Sequence, residues 1–394
     1  MPLGEPRPRL IKAKPGEVIE FGTGKFEFQA TLSLDVSKVT LRGQGADKTI
    51  LSFKDQGQGT GGEGTPDHVE GRGDASGPGR RGRQGRRDQG QRHEGPDPET
   101  RPHRMDGRVE GDQRRLRHLS GALHRRADRG LHGSRASDAG IYVGQSENII
   151  VRRNTVEQNV AGIEIENCTR ADVYENTATD NAGGILVFTM PDLPKKDGRH
   201  CRSLQEQREV QQSCELCPQG EHRRLGAPGT GVMIMASDEA EVFDNDIEGN
   251  QTAGLSIVSY LLTEKPLKDE QYDPFCESIH VHHNRFKGNG GKPDGALGQL
   301  VAQVVGSPLP DMLYDGMINP AKAKDGVLPK ELAIHIRDNG EATFANFDAP
   351  GLRAATPAGS AAAGAGKGPK VVRDLKQYAG ELPPLAPVVI EGVQ

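Results

Sequence analysis

Gly140-Ile-Tyr-Val-Gly-Gln-Ser-Glu-Asn-Ile-Ile-Val-Arg-Arg-Asn-Thr-Val-Glu-Gln-Asn-Val-Ala161 is followed without a gap by Gly162-Ile-Glu-Ile-Glu-Asn-Cys-Thr-Arg-Ala-Asp-Val-Tyr-Glu-Asn-Thr-Ala-Thr-Asp-Asn-Ala-Gly183, and then by Gly184-Ile-Leu-Val187. The period is 22 residues. Aligned on it, Ile141, Ile163, Ile185 and Val232 form one apolar column, and Val143, Ile165, Val187 and Ile234 form the next, two residues on. Later in each repeat come Ile149, Ala171, Ala240 and Ile279, then Val151, Val173, Val242 and Val281, and a fifth column of Val156, Ala178, Ile247 and Phe286. A spacing of two is strand alternation, so each repeat carries three short strands with one face inward; a helical repeat would need a period of 3.6. Paired asparagines recur around the fifth column, at Asn154 and Asn159, Asn176 and Asn181, Asn245 and Asn250, Asn284 and Asn289. Such residues tolerate turn dihedrals and can stack as side-chain ladders. The pattern predicts an all-β chain folded as a right-handed parallel β-helix, each coil about 4.8 Å above the last and burying its apolar face by stacking.

Outward from these repeats, residues 10–28 read as an entry cap and first coil, and Leu32 to Phe53 as one more. The solenoid spans 10–347, with a polar excursion at Thr263–Glu277 and an irregular stretch at Gly290–Leu332. An Ala/Gly/Pro-rich linker at 348–370 and a C-terminal segment at 371–394 follow. Of the whole chain of 394 residues, no apolar run reaches the roughly 20 residues of a membrane span, and Met1-Pro-Leu-Gly-Glu-Pro-Arg has no signal-peptide apolar core. A net charge of −5 gives no field to attract nucleic acid, and five cysteines make no disulfide framework.

Two segments break the period. Between Gln56 and Ala136 there are 17 Arg and 18 Gly but no Lys, Ile, Phe or Tyr, so nothing there builds a core. All 18 Lys lie elsewhere, which is unlike a basic arm selected for charge. The vocabulary is that of GC-rich DNA read out of frame. Met105-Asp106 must be encoded ATG-GA, which one base on gives TGG, a Trp. Codons compatible with Arg114 to Gly133 read, one base on, as GAYGIYPVHCTDVLIEDCT, whose GIYPV lies one 22-residue period before Gly140. Ser213 to Leu225 reads as AANFAPKGNIVA. The expectation is therefore that 57–133 and 201–226 are translated out of frame and form no coils. Cys214-Glu-Leu-Cys217, with Cys201 and His222 nearby, imitates a zinc set but recodes in the same way, and no metal site is assigned.

The chain resembles the bacterial parallel β-helix repeat proteins of the pectate-lyase-like superfamily, which carry the carbohydrate-binding and sugar hydrolysis repeats. The resemblance rests on Lys14-Pro-Gly-Glu-Val-Ile-Glu-Phe, Val39-Thr-Leu-Arg-Gly-Gln-Gly, Ser137-Asp-Ala-Gly-Ile-Tyr-Val, Ala161-Gly-Ile-Glu-Ile-Glu-Asn, Gly229-Thr-Gly-Val-Met-Ile-Met-Ala, Leu309-Pro-Asp-Met and Asn319-Pro-Ala-Lys. It implies a carbohydrate-facing outer face, carboxylate chemistry often assisted by Ca²⁺, and a periplasmic, cell-surface or secreted location. Glu164 and Glu166 leave one strand on one side about 7 Å apart, within the roughly 6.5–9.5 Å of inverting glycosidases. They are the candidate catalytic pair, weighed against an ordinary solvated face. Asp138 is a third candidate, with turn capping as its alternative; Tyr142 and Gln145 are candidate sugar contacts. His280 and His282 point outward and could share a metal, but two imidazoles make an incomplete site and plain surface is the expectation. Cys168 and Cys276 read as packing residues. No acid cluster with a facing cation is visible. The leading expectation is a monomeric polysaccharide-binding solenoid, open to lyase or hydrolase activity; the alternatives are a non-catalytic extracytoplasmic scaffold and a non-functional product of a frame-shifted gene.

Overall fold

The computed structural model describes residues 13–28, 39–54, 130–136, 138–204, 206, 208–210, 228–355 and 368–389. Every strand pairing in its sheets is parallel, and three sheets run the length of a solenoid. A seven-stranded sheet stacks Ala139–Gly144, Ala161–Glu166, Gly183–Phe188, Thr230–Met235, Ala253–Val258, Met312–Tyr314 and Phe344–Asn346. A six-stranded sheet stacks Glu147–Arg152, Thr169–Tyr174, Arg199–Leu204, Asp238–Phe243, His280–His282 and His335–Arg337. An eight-stranded sheet of shorter strands runs from Gly24–Glu27 to Arg285–Lys287, and Val18–Glu20 pairs with Thr40–Arg42 at the start. The order of chain and stack agrees coil by coil, so this is the right-handed parallel β-helix expected.

Register confirms the apolar columns: Ile141 opposes Ile163, which opposes Ile185, then Val232 and Leu255. Val143, Ile165, Val187, Ile234 and Ile257 stack beside them, and all of these are under 10% exposed. Each coil buries its inward side chains only against its neighbours, which makes the core a continuous rod. At the first coils Phe28 stacks on Phe53, centroids 5.5 Å apart.

The asparagines form two buried ladders. Asn154 Nδ2 donates to Asn176 Oδ1 (3.0 Å), and Asn245 hands on to Asn284 (2.9 Å) and Asn284 to Asn339 (3.0 Å). The second runs Asn159 to Asn181 (2.9 Å), then Asn250 to Asn289 (2.9 Å) and Asn289 to Asp311 (2.9 Å). The left-handed corner itself falls one residue earlier than expected: Arg153, Glu175, Asp244, His283 and Asp338 carry φ of 52–57°. The asparagine after each one satisfies the backbone groups that the corner exposes.

Three differences from the sequence reading stand out. Strands His132–Ser134 and Arg199–Leu204 reach into stretches expected to hold no coil and Arg208–Val210 lies within one, so the coils run further into both. Ladder hydrogen bonds are made by backbone, and Cys201 is small and apolar enough to fill the column between Ala171 and Ala240. The rest of the expected breaks, 57–129, 205, 207 and 211–226, lies outside the described residues. The stretch Gly290–Leu332 holds a helix, Gly295–Val305, whose Val301 and Val305 pack on Ala253, Leu309 and Leu313; Asp294 caps it through the amide of Gly295. The segment after 347 opens with a second helix, Ala349–Ala355.

Candidate functional site

Outward positions on the seven-stranded sheet are set by register: Tyr142, Glu164, Leu186 and Met233 in one column, Gly144, Glu166, Phe188 and Met235 in the next. The structure does bring Tyr142, Glu164 and Glu166 together, but buries them. Glu164 is 1% exposed, Glu166 8% and Tyr142 7%. The Tyr142 hydroxyl donates to Glu166 Oε2, and burial, together with the Glu166 charge, holds the phenol far above its usual range. Gly144 is what makes room, since a Cβ there would come within 2.3 Å of that hydroxyl. Burial of this kind is unlike a solvated face at Glu164 and Glu166, and it leaves little of the Tyr142 ring to contact a sugar. Asp138 and Gln145 stand at opposite ends of the strand Ala139–Gly144. The Asp138 carbonyl accepts the amides of Val160 and Ala161 (3.1 and 3.2 Å), and Gln145 takes a left-handed corner with its amide on the Glu166 carbonyl.

The cover over this sheet comes from insertions between coils. Tyr260 and Tyr272, edge to face at 5.4 Å, lie in the excursion Ser259–Ser278 and close over Phe188, Met190, Met233, Met235 and Val258. Tyr272 donates to the Thr189 carbonyl at 2.5 Å. Apolar side chains at successive outward positions need such a lid, because a bare strip of this kind would favour association.

That same excursion builds an acid cluster the sequence did not reveal. Ligand oxygens of Asp238, Asp273 and Glu277 lie within 4.8 Å of one another. Lys322, from the loop before His335–Arg337, reaches Asp273 (2.9 Å) and Glu277; Asp238 Oδ1 accepts the Glu277 amide (3.0 Å). Burial, reinforced by Glu277, raises the Asp238 carboxyl to about 7, and burial raises Glu277 as well. The cluster thus holds a proton near neutrality beside carboxylates pinned by an ammonium. The only trace in sequence is the spacing of Asp273 and Glu277 within a polar excursion; Asp238 and Lys322 are too distant to connect. The three oxygens suit a hard cation in kind. They do not fit Ca²⁺ as arranged, because the Lys322 ammonium already bridges Asp273 and Glu277 where the ion would sit.

On the six-stranded sheet, the outward column Asp172, Arg202, Glu241, His280 and His335 consists of ionisable side chains. Arg202 grips Asp172 through two bonds, 2.8 and 2.6 Å. His282 Nε2 lies 3.1 Å from Glu241 Oε1, and the rings of His280 and His282 are 4.2 Å apart. His280 is 4% exposed, so it is not the plain surface expected; burial drives its ring down to about 4 and keeps it neutral. The C-terminal segment crosses this face. Arg337 Nη2 bonds Glu381 (3.0 Å), the Leu385 amide donates to Glu241 Oε2 (3.0 Å), and the Val388 amide donates to Asp172 Oδ2 (2.9 Å).

Cys168, Cys201 and Cys276 are buried free thiols; burial pushes Cys168 up to about 12 and raises Cys201 and Cys276 as well. Cys201, in the core column, is thereby removed from any zinc set; Cys214, Cys217 and His222 lie outside the described residues. Among the described residues no helix is long and apolar enough to cross a membrane.

Compared with known proteins, residues 129–192 match the family described as a right-handed β-helix region. The match covers the two complete repeats from which the period was read and the opening of the third. No curated protein and no solved structure matches the chain.

Proposed function

We propose that this right-handed parallel β-helix repeat protein binds polysaccharide outside the cytoplasm, along the rim where its inter-coil loops converge. The observation that carries the reading is the cluster of Asp238, Asp273, Glu277 and Lys322, where acids meet a facing cation; Glu277 is as buried as Glu164, but the half-buried Asp238 and Asp273 connect it to the surface. Hydrolase or lyase activity falls to this cluster. Asp238, protonated near neutrality, is the general acid toward a glycosidic oxygen; Glu277 is the base or nucleophile, and Lys322 offers a hydrogen-bond donor to a sugar hydroxyl or uronate. The oxygens stand closer than the roughly 6.5 Å minimum that leaves room for an inverting water, which favours retention over inversion.

The test is a pull-down of the purified chain with neutral and uronate-containing polysaccharides, alongside release of reducing or unsaturated ends. Binding to one class, with turnover lost in Asp238→Asn and Glu277→Gln but binding kept, supports the reading; binding to none defeats it. A non-catalytic scaffold is the second reading, favoured by the covering of two outer faces, one by the tyrosine excursion and one by the C-terminal segment. Binding without turnover selects it. We further propose that the gene is frame-shifted, a reading supported by the misfit of Ser203 and Glu206 in the valine and asparagine columns of one coil.

A further inference from the structure

We propose that Glu241, His280 and His282 form a site for one divalent transition-metal ion of the zinc class, on the outer face of the six-stranded sheet and covered by the C-terminal segment. The inference is independent of the carbohydrate reading. His280 and His282 leave one strand on the same side, two residues apart, and Glu241 is the register partner of His280 on the neighbouring strand. One ligand atom from each lies within 4.8 Å of the others, with His282 Nε2 already 3.1 Å from Glu241 Oε1. Bond lengths of about 2.0–2.2 Å around zinc put ligand atoms about 3.3 Å apart, so the side chains need only a small inward adjustment. Two imidazoles and a carboxylate select zinc, cobalt, nickel or copper over the hard alkaline-earth ions.

The surroundings support the same assignment. Ligating groups are ordinarily held by an outer shell of hydrogen bonds. Glu241 has one oxygen taken by the Leu385 amide at 3.0 Å and the other turned to His282. His282 Nδ1 lies 2.8 Å from His283 Nδ1, leaving its Nε2 toward Glu241. A simple histidine–carboxylate pair accounts for two of the three groups. It leaves His280 unexplained: the ring is buried, tilted against His282, and its Nδ1 has no hydrogen-bond partner among the described residues. Arg337 Nε donates to His280 Nε2 at 3.5 Å while its Nη atoms engage Asp338 and Glu381, so Nδ1 is the nitrogen of His280 left for a further ligand. The cover has its own regularity: Leu382, Leu385 and Val388 are half-buried while the residues between them are exposed. A period of three is that of the polyproline-II conformation, and Pro383, Pro384 and Pro387 favour it.

The full chain, stripped with chelator, is titrated with Zn²⁺ against a chromogenic competitor, and with Co²⁺ for its visible absorption. One equivalent is expected, with a tetrahedral cobalt band, a rise in Tm on zinc addition, and affinity lowered at least tenfold in His282→Gln and Glu241→Gln. His282 is partly exposed, so its variant decides should His280→Ala not fold. The double variant Cys214→Ser/Cys217→Ser is expected to keep the equivalent. Loss of zinc in that cysteine variant, or unchanged affinity in His282→Gln and Glu241→Gln, overturns the site. Truncation before Gly380 is expected to speed chelator removal of the metal at least tenfold; an unchanged rate overturns the covering role.

Discussion

Glu206 stands in a column of asparagines. Its carboxylate accepts the Asn176 amide at 2.5 Å and the Asn176 side chain at 3.1 Å, and its own amide donates to Asn245. An acid fully buried in a ladder built for amides is costly in its charged form, and burial raises its pKa to about 8. Folded, the group binds its proton more tightly than the unfolded chain does. Its contribution is therefore favourable below about pH 4.5 and is lost as pH rises through about 8, a swing on the order of 4 kcal/mol. Glu206→Asn is expected to stabilise the protein by about 2–4 kcal/mol at pH 8 and to do little at pH 4.5. Denaturant titrations of both proteins at the two pH values check this; equal gain at both would mean the ladder, and not the charge, is at issue. Ser203 has the same character. It fills a valine column with a buried hydroxyl that has no hydrogen-bond partner among the described residues. Glu206-Gln207 is encoded GAR-CAR, which one base on reads as Asn or Ser, and Ser203-Leu204 can read as Val. Both residues that misfit their columns recode into ones that fit, which supports an out-of-frame stretch beginning before 203.

At the scale of strands and loops, each ladder asparagine carries several bonds. Asn284 accepts from Asn245 twice, at 3.1 and 2.9 Å, and donates to Asn339 (3.0 Å) and the Val242 carbonyl (2.9 Å). Asn284→Ala leaves the Asn245 amide unpaired in a buried corner and is expected to cost about 2–4 kcal/mol, read as a lower denaturation midpoint. Such elements were legible in the sequence because they repeat: a column seen three times at 22 residues leaves no choice of face or register. What does not repeat was not legible. Glu164 looked solvated because nothing in the repeat pattern marks an outward position that will be buried. Glu241 and His280 are adjacent only after an excursion has been inserted between their coils, so their spacing in sequence carried no signal. Arg199–Leu204 was passed over because its side chains break the alternation while its backbone keeps it. The helix Gly295–Val305 was hidden by the glycines and proline around it.

For the whole molecule, the coils close directly across the long gaps: Thr49–Ser52 pairs with His132–Ser134, and Gly183–Phe188 with Thr230–Met235. Resequencing the gene across codons 50–140 and 195–230 is expected to reveal single-base insertions or deletions whose correction restores the 22-residue period. A confirmed sequence makes the chain the product of a decayed gene. As written, the chain is expected to express with poor solubility, because a coil with mismatched side chains exposes stacked apolar faces and strand edges. The restored chain should remain in the supernatant under the same conditions. The C-terminal segment bears on how such a rod would fail under load. Pulled from its two ends, a solenoid sheds one coil after another in a staircase of small, equal ruptures. Here one strand of chain is tied at Arg337, Glu241 and Asp172, bridging the coils between like a stitch across a row of knitting. The coils beneath it cannot peel singly, and a single-molecule trace should show them give way together in one tall step.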